Sequence, residues 1–128
     1  MKISSCIVIA LIIAGFFLIQ GYPAVKNMHN SGSIYTTAVK KVIDNKCYGC
    51  HSNNGKSQVA KNALMWDNLP DLQKKELVAH LDKIIRVLRK NTMPPESAVK
   101  RNPDMKLLPE ESKLLQSWAE AKADSLLN

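Results

Sequence analysis

Cys47, Cys50 and His51 are the residues whose types and spacing could do chemistry. The run Cys47-Tyr48-Gly49-Cys50-His51 holds two thiols separated by two residues, with an imidazole directly after the second. Thiols at this spacing can add to the two vinyl groups of a haem. The adjoining histidine then lies beneath the iron, where histidine is a common axial ligand. Other uses of a cysteine pair fit less well. A thioredoxin-like redox pair needs a β-α-β context, which is absent. A zinc site needs further ligands, and only His29 and His80 remain, neither in a paired motif.

A second axial ligand is sought among Met28, Met65, Met93 and Met105. Met93 is favoured, 42 positions after His51, because it follows a helical pattern and precedes Pro94-Pro95. Two prolines stiffen the backbone and can hold the sulfur toward the iron. A soft thioether favours ferrous over ferric iron and raises the potential. Met65 belongs with Leu64 and Trp66 to an apolar cluster. Met105 sits between Asp104 and Lys106 and is expected to be exposed. His80 is the rival ligand, at the flank of the face formed by Leu77, Leu81 and Ile84. Trp66 and Trp118 each carry an indole N–H able to reach a haem propionate. Both are expected in the core, Trp118 on a strongly patterned helix, with the propionate contact kept as the alternative for Trp66.

The elements that must position these residues read as helices. Ile34 to Asn45 is predicted helical, with Ser33 as its N-cap and Ile34, Ala38, Val42 and Ile43 at helical spacing. Ser52-Asn53-Asn54-Gly55 is a loop. Val59 to Leu69 holds a short helix containing Leu64, Met65 and Trp66. Pro70-Asp71 opens the next, Leu72 to Lys90, predicted to be the longest. Asn91 to Leu108 reads as a loop with three prolines. Pro109-Glu110-Glu111 opens a final helix, with proline at the first position and acids at the positive dipole end. No segment alternates at strand period, so the fold class is all-α.

The chain has 128 residues, enough for one compact domain behind an export segment. Met1-Lys2 and the uncharged run Ile3 to Ile19 have the layout of a secretory signal, cleaved or retained as a membrane anchor, over residues 1–21. A lipoprotein is disfavoured: Phe16 stands where the lipid-modified cysteine would be, and Cys6 lies too early. Residues 22–33 read as a linker, and 34–128 as the domain. Aromatic residues are only 5% of the chain, and a buried haem would supply apolar surface in their place. The formal charge is +7, falling to about +6 without residues 1–21 and about +4 with two haem propionates. A basic surface favours acidic protein partners. The absence of a basic stripe with interleaved aromatics argues against nucleic acid.

Taken in order, the helix, Cys47-Tyr48-Gly49-Cys50-His51-Ser52, Met93-Pro94-Pro95 and the helix from Leu108-Pro109-Glu110-Glu111 to Leu115-Gln116-Ser117-Trp118-Ala119 resemble class I cytochrome c. More narrowly, they look like the small bacterial haem-binding domains of the cytochrome c-like family. The resemblance spans residues 34 to 127. It implies a cytochrome c-like helical fold wrapped around one covalent haem c, with His51 and Met93 as axial ligands. One departure stands out. Class I cytochromes often place a proline soon after the attachment motif, whose carbonyl orients the histidine, whereas the next proline here is Pro70. The partner of the other His51 nitrogen is thus left open. The reading is a periplasmic carrier of single electrons. A haem-based sensor or small-ligand binder, and then a peroxidase-type enzyme, are the alternatives; each needs an open iron position.

Overall fold

The structure, a computed structural model, describes residues 33–128. The expected export segment at 1–21, and all but the last residue of the expected linker at 22–33, lie outside the described residues. Among those described there is no strand. The helices are α1 (Thr37–Lys46), α2 (Tyr48–His51), α3 (Gln58–Ala63), α4 (Lys74–Arg89), α5 (Glu96–Arg101) and α6 (Pro109–Leu127), with 3₁₀ turns at Leu69–Asp71 and Pro103–Met105.

The first helix starts three residues later than its periodicity suggests. Thr36 is the N-cap, its Oγ1 accepting from the Val39 N–H at 3.3 Å. Ser33 instead accepts from the Tyr35 N–H at 3.2 Å. The Ile34 carbonyl is taken by the Trp118 indole N–H at 2.9 Å. The buried face of α1 is Val39, Val42 and Ile43, while Ala38 is exposed.

The most extensive helix pairing is α4 on α6, with α1 packing on α6 as well. Leu77, Leu81, Ile84 and Leu88 recur at steps of three and four along α4 and bury one stripe. Against them lie Leu115, Trp118, Ala119 and Ala123 of α6. Leu81, Ile43 and Leu115 are essentially fully buried, each contributing roughly 1.5–3 kcal/mol. Arg89 and Glu120 pair across the two helices at 2.6 Å, but in the open, where such a pair contributes little. Tyr35, Trp66 and Trp118 form an aromatic triangle with centroids 5.5–6.3 Å apart.

Three other expectations are corrected. The longest helix is α6, with 19 residues, not α4, with 16. The Leu64-Met65-Trp66 run is not helical: α3 ends at Ala63 and Leu64 is extended. The stretch from Asn91 to Leu108 is not all loop, because it holds α5 and a 3₁₀ turn. In the last two cases short-range bonds and tertiary partners override the apolar pattern.

The end of α4 sets the course of the Met93 segment. Asn91 takes the left-handed conformation, φ 51°. Its N–H reaches the Leu88 carbonyl at 3.1 Å, and the Thr92 N–H reaches Val87 at 3.0 Å. That pair of bonds is a Schellman motif, with asparagine filling the position that glycine usually takes. The chain therefore stops abruptly and turns into Met93-Pro94-Pro95.

Candidate functional site

Cys47 ends α1 and α2 follows at once. The Cys50 and His51 N–H groups both bond the Cys47 carbonyl, at 3.1 and 3.0 Å. One helical turn thus carries Cys47, Cys50 and His51 at steps of three and four, which share a face. The chain then doubles back beneath the turn. The Gly55 N–H bonds the Ser52 carbonyl at 2.9 Å and the Lys56 N–H bonds Gly49 at 3.0 Å. A Cβ on Gly55 would lie 2.4 Å from the Cys50 carbonyl oxygen, so the approach admits only glycine.

Residues Leu64 to Asp67 run back along α2 as a strap that starts extended at Leu64 and passes into a turn at Trp66 and Asp67. His51 Nδ1 lies 2.9 Å from the Leu64 carbonyl oxygen. A carbonyl only accepts, so Nδ1 carries the proton and, in the neutral ring, Nε2 keeps its lone pair for a metal. This identifies the partner that the absent proline left open. The Trp66 N–H returns a bond to the His51 carbonyl at 2.9 Å. The Trp66 carbonyl accepts from the Tyr35 hydroxyl at 2.6 Å. Burial, with the Asp67 carboxylate adding to it, raises the Tyr35 hydroxyl above its usual pKa. Asp67 accepts from the Tyr48 hydroxyl and, at 2.7 Å, from the Asn53 N–H.

These elements wall an apolar cavity of about 430 Å³, within the range of cofactor pockets, roughly 300–1,000 Å³. Cys47, Cys50, His51 and Met93 all line it. Ile84, Val87 and Leu88 of α4 and Leu115 of α6 supply apolar wall, as do Pro94 and Pro95. His80 also lines the cavity; its Nδ1–H donates to the Glu76 carbonyl at 2.9 Å, leaving Nε2 available. Met65 is half-buried and is not part of the wall. Met105, expected to be exposed, is half-buried and lines the cavity. It is drawn in by the 3₁₀ turn, whose Asp104 carbonyl accepts from Lys46 Nζ at 2.7 Å. That ammonium also lies 3.8 Å from the Glu111 carboxylate.

The residues fit a haem on two counts beyond the motif. Trp66 lines the cavity, is 4% exposed, and its buried Nε1–H has no partner among the described residues. Such a donor is costly unless an acceptor comes from the cavity, and a haem propionate is an acceptor. Lys83 and Arg101, which also line the cavity, offer positive charge to a carboxylate. Trp118 differs, since its indole bond goes to Ile34 within the protein. Burial first, then the Glu111 carboxylate and Cys50, push the Cys47 thiol up to about 12, so at neutral pH it stays an S–H group.

A family model described as cytochrome c matches residues 36–118, which takes in α1, the attachment turn, the strap, α4, the Met93 segment and the first half of α6. The chain belongs to the cytochrome c family, and its all-α fold is that family's. It is thus a haem-binding domain of the electron-carrier class, with covalent haem c and its iron as cofactor. Comparison with curated proteins and with solved structures finds no match. No described helix is long and apolar enough to cross a membrane.

Proposed function

We propose that this protein is a monohaem c-type cytochrome of the periplasm that passes single electrons between protein partners. One observation carries the reading: Cys47, Cys50, His51 and Met93 converge from segments far apart in sequence on one apolar cavity. Residues 1–21 serve as export signal or anchor, 22–33 as linker and 34–128 as the haem domain.

Cys47 and Cys50 would hold the haem through two thioethers, each thiol adding S and H across one vinyl group so that nothing leaves. When bound, the haem supplies a one-electron ferric/ferrous couple. His51 would hold the iron through Nε2, its ring kept in place by the Nδ1–H on Leu64. Met93 would hold it through its sulfur, from the segment fixed by the turn at Asn91 and by the two prolines. The apolar walls of α4 and α6 exclude water, which limits reorganisation around a changing charge. Lysines and arginines on the surface steer acidic partners.

The test is the absorption spectrum of the holoprotein together with single variants. Wild type should be low-spin in both redox states, with haem that does not extract into acidified organic solvent. Met93→Ala should turn high-spin, bind carbon monoxide in the ferrous form and fall in potential. Met65→Ala and Met105→Ala should stay low-spin. A Met93→Ala protein that remains low-spin at unchanged potential removes Met93 as ligand, and His80→Ala then becomes the decisive variant. A second reading is a sensor of small ligands. Fast carbon monoxide binding by wild type would bring that reading forward.

A further inference from the structure

We propose that Asp67 is a positioning residue for His51, acting through the strap Leu64–Asp67. The inference rests on the reading of His51 as an iron ligand.

The argument starts from how the strap is held. Its carbonyl at Leu64 takes the His51 Nδ1–H at 2.9 Å. A carbonyl can orient an imidazole only if the backbone carrying it is itself fixed. On the upstream side the Leu64 N–H is tied to the Ala60 carbonyl at the end of α3, at 2.9 Å. Downstream the strap is tied by Asp67, and both carboxylate oxygens are used. One accepts from the Tyr48 hydroxyl, inside the attachment motif; the other accepts from the Asn53 N–H, two residues past His51. Asp67 thereby grips α2 on both flanks of the histidine. Between the two anchors, Trp66 trades one more bond with the His51 backbone and one with Tyr35.

This geometry gives Asp67 leverage over a nitrogen it does not touch. Bonds to a carboxylate are stronger than neutral ones, so the Asp67 grip is the firm end of the strap. Release of that grip lets the Leu64 carbonyl drift, and the Nδ1–H then exchanges with water more often. The weaker bond also lowers the electron donation of the ring to the iron, which favours the ferrous state. Tyr48 separates this from a plain charge effect. Tyr48→Phe removes one latch and keeps the carboxylate.

The experiment uses covalently loaded holoprotein. By NMR one measures the solvent exchange of the His51 Nδ1 proton in the ferrous state, and by redox titration the potential. The variants are Asp67→Ala, Tyr48→Phe and, as a control for general destabilisation away from the strap, Ala123→Gly. Asp67→Ala should speed exchange by about tenfold or more and Tyr48→Phe by about threefold, both with low-spin iron and a raised potential. Ala123→Gly should leave both readouts at wild-type values. Should Asp67→Ala fail to fold, Tyr48→Phe and Asp67→Asn carry the test. Exchange within about twofold of wild type in every folded strap variant overturns the proposal. So does equal acceleration in Ala123→Gly. A wild type without low-spin covalent haem fails earlier, and takes the proposed function down with it; a low-spin wild type with unmoved variants overturns only the role of Asp67.

Discussion

Replacing both attachment thiols, Cys47→Ala with Cys50→Ala, asks how much of the fold the haem holds up. The cavity it would leave is about 430 Å³. At roughly 24 cal/mol per Å³ of unfilled volume, the lost packing comes to about 10 kcal/mol. Water entering through the mouth offsets part of that, so the figure is a ceiling. The whole stability of a small domain is only about 5–15 kcal/mol, and even half the ceiling reaches the lower end of that range. The walls at stake are Ile84, Leu88 and Leu115, which also belong to the core between α4 and α6. Expansion of the cavity therefore loosens the main helix pairing. The haem-free double variant should show helical signal in far-ultraviolet circular dichroism but no cooperative melt, while the holoprotein melts cooperatively. A double variant free of haem by absorbance that melts cooperatively within about 5 °C of the holoprotein would refute the reasoning.

Gly55→Ala should lower the yield of covalently loaded protein and cost about 1–3 kcal/mol or more in denaturant melts, because its Cβ meets the Cys50 backbone; wild-type yield and stability would mean that the turn relaxes freely. Trp66→Phe should cost the holoprotein roughly 1.5–3 kcal/mol, the worth of a bond from Nε1–H to a charged carboxylate, whereas an equal or greater stability than wild type would mean the donor stays unpaired with haem in place. Blocking export should abolish haem loading, since attachment belongs to the periplasm in the proposed reading; loaded protein in the cytoplasm would sink that assignment.

The attachment turn was legible because a chemical signature there coincides with local geometry: residues at steps of three and four on one turn must share a face. The fold class and the apolar face of α4 were legible for the same reason, a period that the chain cannot satisfy in another way. The strap was not. Leu64, Met65 and Trp66 look helical in isolation, and it is bonds to His51, Tyr35 and the partners of Asp67, all distant in sequence, that hold them out of a helix. Nor did the sequence reveal that Met105 reaches the cavity, since its charged neighbours hide a turn that Lys46 secures from another helix. The start of α1 moved for a related reason: the Ile34 carbonyl answers to a tryptophan 84 positions away.

That long bond has a consequence for how the molecule is made. The inner face of α1 is covered by α6, and the indole of Trp118 locks the backbone at Ile34. Until the ribosome has released residue 118, the inner face of the first helix lacks its cover. The growing chain therefore keeps that face open until α6 has emerged. In the proposed periplasmic reading, an open chain is what a narrow protein-conducting pore admits, and what leaves two cysteines accessible to the machinery that joins them to a haem.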